Sequence, residues 1–406
     1  MFVQNSFISA ARERYVEGNA GTMAWMLDRP MLHGAFLNTK VNSLSLQDYG
    51  SADGLRGPDF TYGWIQGRGL EALVTHAAYF EKSNPLLAAR MDDAGRVLYE
   101  KLLQLQGVGH AYFCYDPSFT PVYPDGEALR VQESPADIFT YSDAFVAKGL
   151  LAAAARYARA DLPRHMAYFA QVIAAIDANR FQMEERRPLS SASLAVQPKD
   201  FGPRMILLGA AGMLVRAGLP QAVEFADRFI ENVLANHYDE ATGLLRNVPG
   251  EDACNVGHGI EFVGFALDYL PADADKALIA RLERILIASF NAGFVSPGIA
   301  LSISIETGKA LSPNCPWWSL PETIRSAALC WQRTGNPDVL AIWQKADEAF
   351  YTHYWRGTPP LAYQTMTAAG PIDFVPATPD LDPGYHTGLS LLAAIRVAEA
   401  LAPQSR

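Results

Sequence analysis

Two histidines lie where a side chain could transfer protons. His258 precedes Glu261 by three residues, so the two would share one face of a helix. In the first turn of a helix the macrodipole favours the neutral imidazole, which can act as a general base near neutral pH. Glu261 could then fix the tautomer of His258. His386 also begins a predicted helix and is the second candidate, although either histidine could be a purely structural residue.

An arginine and two tryptophans could hold a substrate. Arg68 lies at the start of a predicted helix, where its charge opposes the dipole and needs a partner. That partner could be a substrate oxygen, or a salt bridge to an acidic residue of another helix start: Glu261, Glu322 or Asp143. Trp317 and Trp318 offer flat apolar faces of the kind found in carbohydrate sites, or they only pack a loop.

The sequence offers little for metal or cofactor chemistry. Cys254 and His258 lie close together, but no third residue has the spacing of a metal ligand. There is no Gly-rich phosphate loop, no GxSxG nucleophile elbow and no HExxH motif. We therefore expect no metal and no organic cofactor.

Composition limits the class of protein. The chain has 406 residues, of which 50% are hydrophobic and 19% are charged, which excludes a mostly disordered protein. The net charge of −10 argues against a nucleic-acid partner, and no apolar run reaches the roughly 18–20 residues that span a membrane. The four cysteines form no CxxC pair, and no signal peptide is evident. We expect a cytoplasmic protein.

Helical periodicity runs through nearly the whole chain. It predicts twelve helices, over residues 5–27, 68–81, 85–105, 143–158, 162–179, 203–217, 220–236, 257–270, 272–290, 321–334, 337–355 and 386–402. Short and long connections alternate, so the helices pair into hairpins whose long loops emerge at one end. We expect a single all-α domain over residues 1–406, an (α/α)6 barrel of six hairpins; an open α-solenoid is the alternative. Short strands are expected at 112–115 and 303–305.

In such a barrel, the starts of the inner helices meet at one mouth. The residues predicted to bind substrate there are Trp64, Gln66, Asp143, Arg204, Trp317, Trp318, Glu322 and Tyr385. Apolar residues on the outer helices would also allow a homodimer.

Five short motifs carry a family resemblance. They are residues 64–68 (WIQGR), 141–145 (YSDAF), 257–262 (GHGIEF), 317–322 (WWSLPE) and 384–386 (GYH). In this order they resemble the N-acylglucosamine 2-epimerase family, which includes cellobiose 2-epimerases and aldose–ketose isomerases. The resemblance covers most of the chain and implies an (α/α)6 barrel.

The resemblance also implies residue roles. His258 and His386 would be the acid/base pair, Arg68 would hold the substrate and its enediolate, and Glu261 would support His258. The substrate would be a small sugar in its open-chain form. Returning the proton to the opposite face of C2 would form the epimer, and returning it to C1 would form the ketose. The reaction would need neither a metal nor a nicotinamide.

The chain departs from the family pattern at two places. The family's N-P-x-M-H-x-x-E stretch is GPRMILLG at residues 202–209, so Ile206 and Gly209 replace its histidine and glutamate. Arg204 could substitute for that histidine. The Pro-Arg that usually follows the last Tyr-His is Thr387-Gly388. The substrate could therefore be atypical.

Two other functions remain open from the sequence. One is a glycoside hydrolase or lyase on the same barrel, which would need two carboxylates across the site, about 6.5–9.5 Å apart for an inverting enzyme. Asp143, Glu261 and Glu322 are available for it. The other is a non-catalytic sugar-binding relative, which the loss of the family histidine at Ile206 makes plausible.

Overall fold

The computed structural model describes residues 2–107, 109–126, 128–133, 137–375 and 380–402, with the side chains of residues 2–5 left out. These residues form thirteen α-helices: α1 Phe2–Asp28, α2 Gly63–Phe80, α3 Pro85–Gln106, α4 Tyr141–Tyr157, α5 Leu162–Asp177, α6 Ser191–Ala195, α7 Gly202–Arg216, α8 Glu224–His237, α9 Val256–Tyr269, α10 Lys276–Gly293, α11 Ser319–Thr334, α12 Pro337–Ala349 and α13 Ser390–Leu401. Residues 1 and 403–406 of the predicted domain lie outside this description.

The long helices form two concentric layers. Each of the inner helices α2, α4, α7, α9, α11 and α13 packs against the next, and the π-helical turn Tyr385–Leu389 that leads into α13 packs against α2. Helices α3, α5, α8, α10 and α12 each pack outside the inner helix that precedes them, and α1 packs against α13. The predicted all-α fold of six helical hairpins is confirmed.

Short strands occupy the long connections. In the described residues they are β1 Thr61–Tyr62, β2 Cys114–Tyr115, β3 Pro121–Asp125, β4 Ala128–Val131, β5 Phe139–Thr140, β6 Phe181–Gln182, β7 Ala253–Cys254, β8 Ile303–Ser304, β9 Cys315–Pro316, β10 Thr365–Thr367 and β11 Gly370–Pro371. They pair as β1-β2-β3-β4, β11-β10-β9 and β7-β8, all antiparallel, and as a parallel β5-β6 pair. The two predicted strands are β2 and β8, each shorter than expected.

Helix α2 begins five residues earlier than the periodicity predicts. Gly63 and Gly67 lower the helix propensity of this stretch, but tertiary contacts require both. A Cβ on Gly63 would lie 2.3 Å from the carbonyl oxygen of Tyr112, and one on Gly67 would lie 2.7 Å from the backbone of Phe145. The earlier start places Arg68 in the second turn of α2.

No helix in the described ranges is long and apolar enough to cross a membrane. The cysteines Cys114, Cys254, Cys315 and Cys330 are all buried and free.

The contact between α2 and α4 yields a stability prediction. A Cβ on Gly149 would lie 2.5 Å from the carbonyl oxygen of Gly67, so Gly149→Ala must push the two helices apart. We expect it to lower the free energy of unfolding by about 1–3 kcal/mol in urea denaturation. The matched control is Gly18→Ala in α1, where the nearest atom would be 3.5 Å away. That variant should be neutral or stabilising, by up to about 1 kcal/mol. Equal losses in both variants would contradict the close-approach argument.

Candidate active site

A cavity of about 370 Å³ lies at the end of the ring where the inner helices begin, and we call it the front cavity. Its size falls in the usual range for small-molecule sites, about 300–1,000 Å³. The starts of all six inner helices contribute to its wall, through Trp64, Arg68, Tyr141, Phe145, Met205, Ile206, His258, Glu261, Trp317, Trp318 and His386. Residues remote in sequence therefore meet in one enclosure, as the alternation of loop lengths predicted.

His386 is held by a buried carboxylate. Its Nδ1 lies 3.1 Å from Oε1 of Glu322, whose Oε2 lies 2.9 Å from Nη1 of Arg325. Burial favours the neutral form of Glu322, but Arg325 and His386 outweigh it and keep the pKa of this carboxyl below its ordinary value. A charged carboxylate accepts hydrogen bonds only, so Nδ1 of His386 carries the hydrogen. Burial lowers the pKa of His386, which leaves a neutral ring with a bare Nε2.

His258 has the opposite tautomer. The Oδ1 of Asn247 accepts the backbone N–H of Asn255 at 2.8 Å, which fixes the orientation of the amide. The Nδ2 group of Asn247 must therefore donate to Nδ1 of His258, at 2.9 Å. Burial lowers the pKa of His258 and keeps its ring neutral, so its hydrogen is on Nε2. One neutral histidine presents a base and the other a donor, and no described residue hydrogen-bonds either Nε2.

Trp318 contacts both catalytic candidates. Its ring centroid lies 5.6 Å from that of His258 and 5.8 Å from that of His386, with interplanar angles of 30° and 37°. Trp317 meets His386 edge to face at 6.2 Å. These aromatic contacts restrict the orientation of the two imidazoles and add flat apolar surface to the cavity wall.

Arg68 has no ion pair with any residue that the structure describes, so the alternative of a salt bridge to another helix start does not hold among these residues. Its Cζ lies 4.0 Å from the ring centroid of Phe145 and 4.9 Å from that of Trp64. Burial lowers its pKa, and its Nε is buried without a hydrogen-bond partner. The guanidinium remains charged, because arginine stays protonated in proteins, and it is available to a substrate oxygen.

Glu261 does not hold the ring of His258, as the sequence suggested that it could. Its Oε1 lies 3.9 Å from Nδ1 of His386, and Asn247 takes the place beside His258. Burial and the adjacent Glu322 raise the pKa of Glu261 to about 8, so its carboxyl is mostly protonated at neutral pH. It can therefore donate a hydrogen bond into the cavity.

Gln66 and Asp143 lie outside the front cavity, and their polar atoms form hydrogen bonds within the protein, mainly with the backbone. Gln66 is buried, accepts the N–H of Leu37 at 2.9 Å and donates to its carbonyl at 3.0 Å. Asp143 caps α4 by accepting the N–H of Thr140 at 2.8 Å, and it also accepts the hydroxyl of Tyr168 at 2.7 Å. Both therefore brace the walls of the site.

Arg204 and Tyr385 also lie outside the front cavity. Arg204 lies 3.8 Å from Asp177 and packs over the ring of Phe229 on α8, so it cannot replace the missing family histidine. Tyr385 lies behind the cavity floor, where its hydroxyl accepts a hydrogen bond from the buried Lys148. Glu322 is fully buried and acts on the cavity indirectly, through His386 and Glu261.

Four residues of the site were not predicted. Asn247 orients His258, and Tyr141 lines the cavity. Asp382 accepts the backbone N–H groups of residues 385–387 and so holds the turn that carries His386. An aspartate just before a helix start is a capping signal, so Asp382 could have been found. Glu185 lines the cavity from a long connection, and burial raises its pKa to about 8.

The two replaced residues of the 202–209 stretch, Ile206 and Gly209, lie in different places. Ile206 lies on the wall of the front cavity beside Met205, so the wall is apolar where the family has a histidine. Gly209 lies away from this cavity, and a Cβ there would come within 2.8 Å of the Phe265 ring. Close packing against Phe265 therefore requires a very small residue at position 209.

One acidic cluster has the donor set of a possible metal site. Ligand atoms of Glu261, Glu322 and His386 lie within 4.8 Å of one another. Arg325 already neutralises Glu322 at 2.9 Å, and a cation would have to compete with that guanidinium.

The raised pKa of Glu261 makes stability depend on pH. Between about pH 4.5 and 8 the native state keeps a proton that the unfolded chain has lost, so this carboxyl contributes less to stability as the pH rises. Glu261→Gln cannot lose that proton. The unfolding free energy of the wild type relative to this variant should therefore fall by about 1.4 kcal/mol per pH unit across pH 5.5–7.5, measured by urea denaturation.

The control for this measurement is Glu184→Gln. Hydrogen bonds from Arg186 outweigh partial burial and lower the pKa of Glu184, so its offset from the wild type should stay constant across the same window. A constant offset for Glu261→Gln as well would show that Glu261 is ionised in the native protein.

Comparison with known proteins gives matches to solved structures only. No family model and no curated protein matches the chain. Among solved structures, cellobiose 2-epimerase from Bacillus thermoamylovorans B4167 has a TM-score of 0.72 and 16% identity over 97% of this chain and 99% of that one. D-mannose isomerase has a TM-score of 0.69 and 13% identity over 98% of both chains.

A third similar structure is a possible member of the GH105 family from Salmonella enterica subsp. enterica serovar Paratyphi A. Its TM-score is 0.56 and its identity 12%, over 96% of this chain and 95% of that one. Identities this low establish the fold alone. The chain has an α-helical barrel fold that an epimerase, an isomerase and a possible glycoside hydrolase share.

Proposed function

We propose that the protein is a carbohydrate epimerase or aldose–ketose isomerase that works by proton transfer through an enediolate. The observation that carries this proposal is the pair of neutral histidines with opposite tautomers. The Nε2 of His386 is a base and the Nε2–H of His258 is a donor, and both rings contact Trp318. The structural similarity to a cellobiose 2-epimerase and to D-mannose isomerase supports the same class of reaction.

The chemistry follows from the protonation states. His386 takes the proton α to the carbonyl of the open-chain sugar, and the negative charge of Glu322 stabilises the imidazolium that forms. The electron pair of the broken C–H bond moves to the carbonyl oxygen, where Arg68 stabilises the enediolate. His258, after taking up a proton from solvent, then delivers its Nε2 proton to the opposite face of C2 and returns to the neutral form, which gives the epimer, while His386 releases the first proton to solvent. The ketose forms instead when His386 returns the first proton to C1 and the hydroxyl proton of O2 moves to O1.

The three carboxylates that the sequence offered for a glycoside hydrolase do not form an inverting pair. Glu261 and Glu322 have oxygens within 4.8 Å of each other and both lie beside His386. An inverting pair would stand about 6.5–9.5 Å apart on opposite sides of the scissile bond. Asp143, the third carboxylate considered, caps a helix outside the cavity. A non-catalytic sugar-binding protein differs from our proposal in one measurable respect, because it binds without exchanging protons.

Hydrogen exchange tests the proposal directly. The protein is incubated in D2O with mannose, glucose, fructose, N-acetylmannosamine or cellobiose, and proton NMR follows C1 and C2. We expect deuterium to enter C2, with C1 labelled as well if a ketose forms. His386→Ala and His258→Ala should each slow exchange by about 10²–10⁴-fold, the usual contribution of a general acid or base.

The control variant is His353→Gln, which changes an exposed histidine that does not line the cavity and should exchange at the wild-type rate. Binding of a sugar without exchange would favour the non-catalytic alternative. Release of a reducing sugar from a glycoside, retained in His258→Ala, would favour the hydrolase.

Metal removal tests the proposed independence from metal ions. Dialysis against EDTA should leave the exchange rate unchanged, because the protein's own imidazoles and guanidinium carry each step. Activity lost to EDTA and restored by a divalent cation would instead identify Glu261, Glu322 and His386 as metal ligands.

A further inference from the structure

A second and larger cavity lies toward the opposite end of the ring. We call it the rear cavity; it measures about 500 Å³ and shares no lining residue with the front cavity. Five of the inner helices line it with their middle and last turns, and α13 lines it with its first and middle turns. Much of its wall is apolar, including Val74, Ala152, Met213, Phe265 and Leu392. Its volume is in the usual range for a small-molecule site.

The rear cavity carries an excess of positive charge. Its charged lining residues are five arginines, Arg156, Arg159, Arg216, Arg325 and Arg396, and two acids, Glu71 and Asp268. Each acid already has a partner inside the protein. Asp268 pairs with Arg216 at 2.6 Å, and Glu71 pairs with the buried Lys148 at 3.4 Å. Neither acid is therefore free to neutralise a further arginine.

Two lining arginines, Arg159 and Arg396, have no ion pair within the described part of the chain, and Arg159 is exposed. Arg396 is partly buried, and it forms no ion pair closer than 4.0 Å and no hydrogen bond with any described residue. Burial and repulsion by Arg216 lower its pKa to about 10. A guanidinium in this environment costs stability unless an anion approaches it.

Compensation of helix dipoles explains some of these arginines and not Arg396. Arg156 and Arg216 lie in the last turns of α4 and α7, where a cation stabilises the negative end of the helix. Arg396 lies in the middle of α13, and Arg325 lies near the start of α11. The dipole effect is confined to the terminal turn, so it explains neither position. Arg325 is the counter-ion of Glu322, which leaves Arg396 to be explained.

We propose that the rear cavity binds a phosphorylated small molecule, with Arg396 as the principal ligand of its phosphate. A guanidinium fork matches phosphate oxygens in a bidentate geometry, and the two lining arginines without an ion pair, Arg159 and Arg396, suit a dianion because Asp92, Asp268 and Glu322 already pair with the other three. The apolar wall would contact the organic part of the ligand. This site is separate from the proposed proton-transfer site and does not depend on it.

Calorimetric titration with phenyl phosphate tests the site. The wild type should bind phenyl phosphate, and phenol, its uncharged counterpart, should bind at least tenfold more weakly. Arg396→Met keeps most of the side-chain volume and removes the charge, so it should weaken phenyl phosphate binding at least tenfold. Arg228→Met is the matched control, because Arg228 is exposed and pairs with Asp177 outside the cavity. Its affinity should equal that of the wild type.

A second pair of measurements separates binding from a structural role. In phosphate-free buffer Arg396→Met should raise Tm, since it removes an unpaired charge, and phenyl phosphate should raise Tm of the wild type only. His386→Ala should bind phenyl phosphate as the wild type does. Equal affinity in Arg396→Met and wild type, loss of binding in His386→Ala, or a lower Tm for Arg396→Met without phosphate would overturn the proposal.

Discussion

The arrangement of the site depends on one buried carboxylate, that of Glu322. It lies between Arg325 and His386, without contact with solvent, at 2.9 and 3.1 Å from their nitrogens. Arg325 supplies the positive charge that lets Glu322 remain ionised in spite of burial. Because Glu322 is ionised, His386 must direct its hydrogen toward it and its lone pair away. The neighbouring Glu261 cannot easily ionise beside that charge, so it remains a hydrogen-bond donor.

The network of Glu322, Arg325, His386 and Glu261 requires close packing of the inner helices. Gly67 and Gly149 let the backbones of α2 and α4 approach to distances that no Cβ would allow. A tight inner ring brings six helix starts to one small cavity, and their positive dipole ends meet there. Such an environment disfavours a second proton on either histidine and favours a negative enediolate oxygen. The close packing of the inner helices therefore sets both the protonation states of the two histidines and the charge that the proposed reaction needs.

Between the two cavities the barrel axis is filled by paired polar groups. Lys148 is fully buried and contacts the hydroxyl of Tyr385 on one side and Glu71 on the other. Burial of a lysine is tolerable only because both partners are present. This layer separates a front cavity that holds proton-transfer groups from a rear cavity rich in arginine, so one barrel presents two chemically distinct enclosures.

The sequence alone determined the helices and the end of the barrel at which the inner helices begin. Periodicity identified the helices, and alternating connection lengths paired them into hairpins, because both are local properties of the chain. The helix positions and their pairing together predict that His258, His386, Arg68 and the two tryptophans lie at the same end of the barrel. The tertiary structure decided which groups pair. Periodicity locates a side chain on its own helix but says nothing about its partner across the ring. Asn247 and Glu322, from other parts of the chain, therefore hold His258 and His386, and backbone groups engage Gln66 and Asp143.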